Sequence, residues 1–231
     1  MPERQLNYGV HISEKNRYIY FETPKVACSS VKATLIKNEI EESNLSMNLI
    51  HSKKDTPFLT PKEFGYDNFI NALSSDKYYK FTFVRNPYSR VLSAFLSKFK
   101  WNNKIKIRFY RLNNIDSDTA LSFSDFLEYL SSNVSYDMDP HWRPQYNQIS
   151  GLAKEMDFIG RFDNFENDLG TVINKIFGTN AIALFDTRKE LGQQETKSSD
   201  KIDEYYREKE FDLVSEIYKK DFLEFGYNQN T

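Results

Sequence analysis

Short apolar runs alternate along this chain with segments in which apolar residues recur every three or four positions. Arg17–Phe21 is a β-rich run, Tyr79–Val84 is the clearest strand, Asp157–Gly160 is a further candidate, and Met47–Ile50 is a shorter apolar run. Helical spacing predicts a helix from about Cys28 to Ile40 with Val31, Leu35 and Ile36 along one side. Asn86-Pro87 then opens a helix as N-cap and first residue, with Val91, Leu92, Phe95, Leu96 and Phe99 on one face. Thr60-Pro61 starts another, in which Phe64, Phe69, Ile70 and Leu73 are the expected inward residues. Ser122 with Asp125 three residues on resembles a capping box in front of Phe123, Phe126, Leu127 and Leu130. Leu169, Val172, Ile173 and Ile176 form a helix stopped by Gly178, and the tail from about Ser199 to Phe222 reads as helical and densely charged. Thr187–Ser199, rich in Lys, Gln, Thr and Ser, is either a mobile loop or a passive connector.

Strand, turn and helix in repetition argue for an α/β fold: one three-layer domain over residues 1–231, core about 17–227, with a central parallel sheet flanked by helices. A chain of 231 residues buries roughly 70% of its unfolded surface, ample for one such domain and small for two. No run approaches the roughly 18 apolar residues of a membrane span, so no integral membrane segment is expected. The first residues lack a signal-peptide layout, and the single Cys28 cannot form an internal disulfide. A cytoplasmic location follows as the expectation.

A net charge of −2 hides segregation, because Lys77–Ile115 contains ten Lys or Arg and no Asp or Glu. This is either a positive field that attracts an anionic ligand or an unevenly charged solvated helix face. No helix-turn-helix, zinc or repeat signature accompanies the patch, so nucleic acid is not the expected partner.

Two segments carry candidate chemistry. In Thr23-Pro-Lys-Val-Ala-Cys-Ser-Ser30 a strand runs through a turn into a helix start, where backbone N–H groups and the dipole favour an anion. Ala27, Cys28, Ser29 and Ser30 are small enough for close approach, and Lys25 adds a charge at the mouth. The glycines and terminal Gly-Lys-Ser/Thr of an ordinary P-loop are missing, and a plain turn with serine caps fits as well. In the second segment Arg85 leaves a strand and Ser93 lies about two helical turns on, with Arg90 between them. Arg85 and Ser93 could face one phosphate, the guanidinium in bidentate contact; equally, Arg85 could be an ion-pair partner and Ser93 a packing residue.

Together these residues resemble the sulfotransferases that use 3′-phosphoadenosine 5′-phosphosulfate, specifically the carbohydrate family 2 that includes the chondroitin and HNK-1 enzymes. Pro24-Lys-Val-Ala-Cys-Ser-Ser30 is similar to that family's 5′-phosphosulfate loop, and Phe83–Phe95 to its 3′-phosphate segment. His141-Trp-Arg-Pro-Gln145, Asp157–Phe162 and Ile217–Tyr227 have relatives in the same order. The resemblance implies a P-loop-like sulfotransferase fold and in-line, metal-independent transfer to a saccharide, polysaccharide or glycoconjugate, with 3′-phosphoadenosine 5′-phosphate as product. Pro24 to Ser30 (Pro24, Lys25, Val26, Ala27, Cys28, Ser29, Ser30) would hold the 5′-phosphosulfate, with Lys25 stabilising charge on the bridging oxygen, and Arg85 and Ser93 would bind the 3′-phosphate.

The catalytic base is expected to be His51 or His141, with His51 preferred, and His11 is expected at the surface. Both candidates could instead be structural histidines, and Glu22 with a carboxyl raised by burial could serve in their place. Trp142, Arg143 and the run Lys98–Arg111 are candidates for acceptor contact or for packing under a basic helix face. Unlike the animal enzymes, Gln148–Lys154 carries no cysteine, which implies a soluble, microbial form. The alternatives in other classes are a nucleotide kinase or phosphotransferase on a related fold and a catalytically silent saccharide-binding protein.

Overall fold

The computed structural model describes residues 2–40, 46, 49–50, 52, 55–99, 104–132, 134, 137–178, 181, 190 and 195–229. Four strands form one sheet in the order β1 (Val10–Ser13), β2 (Tyr18–Phe21), β3 (Tyr79–Val84) and β4 (Phe158–Arg161). The helices longer than one turn are α1 (Glu3–Gly9), α2 (Cys28–Ile40), α3 (Tyr66–Leu73), α4 (Pro87–Phe99), α5 (Lys104–Leu112), α6 (Phe123–Ser131), α7 (Phe165–Phe177), α8 (Glu208–Ile217) and α9 (Lys219–Phe225). These elements group into two compact units, one of Met1–Val84 with Gln145–Glu195 and one of Arg85–Pro144 with Thr196–Thr231.

The first unit holds the whole sheet. β2, β3 and β4 are parallel, with Tyr18 opposite Tyr79 and Phe81 opposite Phe158. The expected parallel sheet therefore holds for three strands, while β1 adds an antiparallel edge, Val10 opposite Phe21. Successive strand residues point to opposite faces. Tyr18, Tyr20, Phe81 and Phe83 pack with Val31 and Leu35 of α2 and Leu169 and Val172 of α7. Phe21 points the other way and meets the Phe69 ring of α3 at 6.5 Å. Helices thus cover both faces, which is why all four residues of Tyr18–Phe21 are buried and the strand reads as a continuous apolar run. The fold is of the α/β class.

Helix boundaries follow local chemistry. α2 and α4 begin where the pattern predicts, and Asn86 Oδ1 accepts the Tyr88 N–H at 2.9 Å as an N-cap does. Ser122 and Asp125 form the expected capping box of α6. The helix expected from Thr60 is broken: its first turn, Pro61–Phe64, ends at Gly65 with φ 88°, and α3 starts afresh. The break turns Ile70 outward, 59% exposed, and leaves Phe69 and Ala72 facing in. The tail is also divided, into the turn Ile202–Tyr205, α8 and α9.

The second unit is helical around an aromatic core. Phe95, Phe99, Phe109, Phe126 and Trp142 pack with ring centroids 4.9–5.9 Å apart. The extended residue Tyr206 between the tail helices buries its ring there and donates its hydroxyl to the Tyr88 carbonyl at 2.7 Å. Among the described residues, no helix is long and apolar enough to cross a membrane.

Gly160 sits in β4 opposite Phe83, and a Cβ there would overlap the Phe83 ring in a fully buried position. Gly160→Ala is expected to lower stability by about 1–3 kcal/mol. Combining it with Phe83→Leu should restore part of that loss in denaturant melts; an additive double variant would show the overlap to be unimportant.

Candidate active site

The first unit builds its candidate site at the carboxyl end of β2. Thr23 donates its hydroxyl to the Phe83 carbonyl, and Thr82 of β3 donates to the Phe21 carbonyl at 2.8 Å, so the two parallel strands are tied to each other near their ends. The chain then turns into α2. Val26 is fully buried in the core of this unit, whereas Lys25 and Ala27 on either side have φ of 73° and 62°. For residues with a Cβ each such conformation costs roughly 1–2 kcal/mol, so the packing of Val26 and the strand ties enforce it. The turn delivers Cys28 as the first residue of α2, with the Ala27 carbonyl accepting the N–H groups of Ser30 at 2.9 Å and Val31 at 3.1 Å. Helix-start N–H groups have no intrahelical acceptor, and a nest of alternating backbone conformations is a favoured place for an anion. Pro24, Val26, Ser29 and Ser30 are buried, and Lys25, Ala27 and Cys28 are half-buried.

A buried charge cluster joins this turn. The Glu22 carboxylate lies 2.7 Å from His11 Nε2 and 3.1 Å from Lys32 Nζ, all three residues being 3–6% exposed. This overturns the expectation that His11 lies at the surface: β1 pairs with β2 and carries His11 inward, stacked on Tyr20 at 5.6 Å. Burial would raise the Glu22 carboxyl, but the Lys32 charge and the His11 hydrogen bond outweigh it and hold the group well below the usual carboxylate range. Glu22 is therefore no raised-pKa base. Burial favours a neutral Lys32, yet the Glu22 charge keeps its pKa raised. The Cys28 thiol is pushed up to about 12, first by burial and then by Glu22, so this cysteine supplies a small side chain and not a thiolate.

The second unit places Arg85 among hydroxyl groups. Its Nε donates to Ser89 Oγ at 2.9 Å, and Nη2 donates to Ser198 Oγ at 2.9 Å and Ser199 Oγ at 3.0 Å. Ser93 Oγ lies 3.0 Å from Thr196 Oγ1, and Ser198 Oγ donates to the Ser89 carbonyl at 2.9 Å. Hydroxyl hydrogens rotate, so the same groups can turn to donate to a phosphate that the guanidinium neutralises. Ser89 lies one helical turn before Ser93, a spacing that the sequence itself carries. Thr196, Ser198 and Ser199 lie in the segment read as loop or connector, more than 100 residues from their partners, and no local pattern marks them.

His141 is half-buried, with Nδ1 2.6 Å from Asp139 Oδ1. Trp142 and Arg143 are 4% and 1% exposed. Trp142 belongs to the aromatic core, and Arg143 donates to the Met138 carbonyl through Nε at 3.1 Å and Nη2 at 2.7 Å. Both are interior residues of this unit, as the packing reading of them has it. Burial pulls the Arg143 guanidinium down to about 10, which leaves it charged at neutral pH. His51, Lys100 and Trp101 lie outside the described residues, as do residues 187–189 and 191–194 of the expected loop.

The first unit thus has a glycine-free turn feeding a helix from a parallel sheet, and the second an arginine hydrogen-bonded to three serine hydroxyls, in a protein of the α/β class. A profile of the sulfotransferase family matches residues 8–228, and the chain belongs to that family. It is 30% identical over 185 residues to carbohydrate sulfotransferase 14 of Mus musculus, covering 74% of this chain and 47% of the relative. It is 26% identical over 237 residues to carbohydrate sulfotransferase 9 of Homo sapiens, covering 94% and 53%, and 27% identical over 274 residues to carbohydrate sulfotransferase 12 of Xenopus laevis, covering 98% and 61%. The chain spans about half the length of the curated relatives it matches, 50%, 53% and 47% for three of them. No solved structure matches it.

Glu22→Gln leaves the Lys32 ammonium buried without its counter-charge and is expected to cost about 3–5 kcal/mol in denaturant melts. The folded Glu22 has a lower pKa than the unfolded one, so its contribution is complete above the ordinary carboxylate range and declines as pH falls below about 5. The variant should lose that part of the acid slope. An unchanged slope would show that other carboxylates carry it.

Proposed function

We propose that this protein is a sulfotransferase that moves the sulfuryl group of 3′-phosphoadenosine 5′-phosphosulfate to a hydroxyl of a saccharide or glycoconjugate. The observation that carries the reading is the Arg85 guanidinium with its ring of hydroxyl partners, in a chain whose family profile runs through both units. That span supports treating residues 1–231 as one sulfotransferase domain. A nucleoside triphosphate has no 3′-phosphate for Arg85 to hold, and the turn at Lys25 lacks the P-loop glycines.

When bound, the donor supplies an activated sulfuryl group on its 5′-phosphate and a second anionic group at the 3′ position. Lys25 and the backbone N–H groups from Val26 to Ser30 would hold the 5′ end, and Lys25 would stabilise negative charge on the bridging oxygen. Arg85 and Ser93 would hold the 3′-phosphate, with Ser89, Thr196, Ser198 and Ser199 as further hydroxyl donors. His141 is the base among the described histidines, since its Nδ1 is held by a carboxylate and its ring keeps partial exposure. A cytoplasmic location is part of the same proposal, supported only by a single cysteine that cannot form an internal disulfide.

Thermal-shift measurement separates this reading from a phosphotransferase, because a ligand that binds only the folded state raises its melting point. 3′-Phosphoadenosine 5′-phosphate should stabilise the protein and ATP with magnesium should not; the opposite result overturns the proposal. Lys25→Ala should lower kcat on the order of 10²-fold with labelled donor. Arg85→Ala should raise the donor KM by about tenfold or more while changing the acceptor KM little.

A further inference from the structure

Within the second unit, the turn from Met138 to Arg143 is braced at nearly every carbonyl. The Met138 carbonyl accepts from Arg143, and the Asp139 carbonyl accepts the N–H groups of Trp142 at 3.1 Å and Arg143 at 3.0 Å. Arg90 of α4 donates to the Pro140 carbonyl at 3.2 Å and the Arg143 carbonyl at 2.9 Å. The Tyr218 hydroxyl donates to the Trp142 carbonyl at 2.6 Å. Arg90 and Arg143 are 0% and 1% exposed, and burying a guanidinium costs several kcal/mol before its hydrogen bonds offset it. A turn closed by backbone bonds alone avoids that cost. So heavy a scaffold marks a side chain whose position matters, and the titratable ring on this turn is His141.

Asp139 supplies the last constraint. Its Oδ1 accepts the His141 backbone N–H at 3.1 Å and lies 2.6 Å from the ring Nδ1. An ionised carboxylate can only accept, so Nδ1 carries a proton in either charge state of the ring, and in the neutral ring Nε2 holds the lone pair. Asp139 is ionised: burial would raise it, but the His141 hydrogen bond and charge, and then Arg108 of α5, hold it below the usual range. Other charges around the turn are Asp137 on the same segment, Arg143 itself and Arg90 from α4.

We propose that Asp139 is a positioning residue for the transfer, fixing the His141 ring in the Nδ1–H form so that Nε2 takes the proton of the acceptor hydroxyl. The hydroxyl oxygen then bonds to sulfur as the bond from sulfur to the phosphate oxygen breaks, its electron pair leaving on that oxygen. The inference rests on the sulfotransferase reading above.

The test is ¹⁵N NMR of His141 combined with pH–rate profiles. In the wild-type protein, with neither donor nor acceptor added, the neutral ring should carry its proton on Nδ1. In Asp139→Leu no acceptor faces Nδ1, so the neutral ring should shift to the Nε2–H form that free imidazole side chains favour. Loss of the carboxylate should also lower the imidazole pKa and move the rising limb of kcat to lower pH. The plateau should fall on the order of 10²-fold, with the melting shift from 3′-phosphoadenosine 5′-phosphate retained. A structural role alone would lower stability and leave tautomer and limb in place. A wild-type Nε2–H ring, or a variant with kcat within about twofold at every pH, overturns the inference, and the wild-type spectrum decides it without any variant. A protein that moves no sulfate at all overturns the functional reading, whereas an Nε2–H ring in an active protein overturns this inference alone.

Discussion

The first unit depends on one pairing, the parallel register of β2 against β3. Tyr18 opposite Tyr79 puts Phe21 opposite Thr82, so Thr82 of β3 reaches the Phe21 carbonyl and Thr23, two residues past β2, reaches the Phe83 carbonyl. With the strand ends tied, the chain leaving β2 has a short path into α2, and the burial of Val26 decides how it turns. Lys25 and Ala27 take positive φ because the anchor between them is inside the core. A glycine would adopt those angles without strain. The side chains present raise the cost of the turn and also restrict the alternatives open to it in the unfolded chain.

Buried charge is the second organising principle, and it serves different ends in the two units. Glu22 is compensated on both sides, by His11 from β1 and Lys32 from α2, so the cluster fastens the edge strand and the helix to the residue that precedes the anion turn. Arg90 and Arg143 instead spend their hydrogen bonds on carbonyls of one turn. Removing one partner of either arrangement strands a polar group away from water, which costs more than the interaction contributes when intact. Such networks therefore hold geometry more firmly than an apolar contact of the same area.

Much of this architecture is legible in the chain. The bounds of α2 and β3, the Asn86 cap and the Ser122–Asp125 capping box depend on neighbours within a few residues, and sequence patterns record such neighbours. β1 is not legible in the sequence because Val10-His-Ile-Ser13 has neither a long apolar run nor a polar face; all four residues are buried by what covers them. Trp142 and Arg143 stand beside His141 in sequence and read as acceptor contacts or packing residues; they are buried, while His141 is half-buried. A turn sends adjacent side chains in different directions, and residue type alone does not tell which.

The sequence by itself determined the α/β class, the two strand-turn-helix segments, the likeness to sulfotransferases and Lys25, Arg85 and Ser93 as the residues to watch. Tertiary structure decided their company. Only folding brings Ser198 and Ser199 to Arg85, Thr196 to Ser93, and Lys32 and His11 to Glu22, and only folding shows that Asp139 grips His141 from within a turn braced by Arg90. The reason is physical. Periodicity and capping report local conformational preference, whereas ionisation, tautomer and hydrogen-bond partnership depend on burial and on groups from distant parts of the chain, which a linear pattern does not encode.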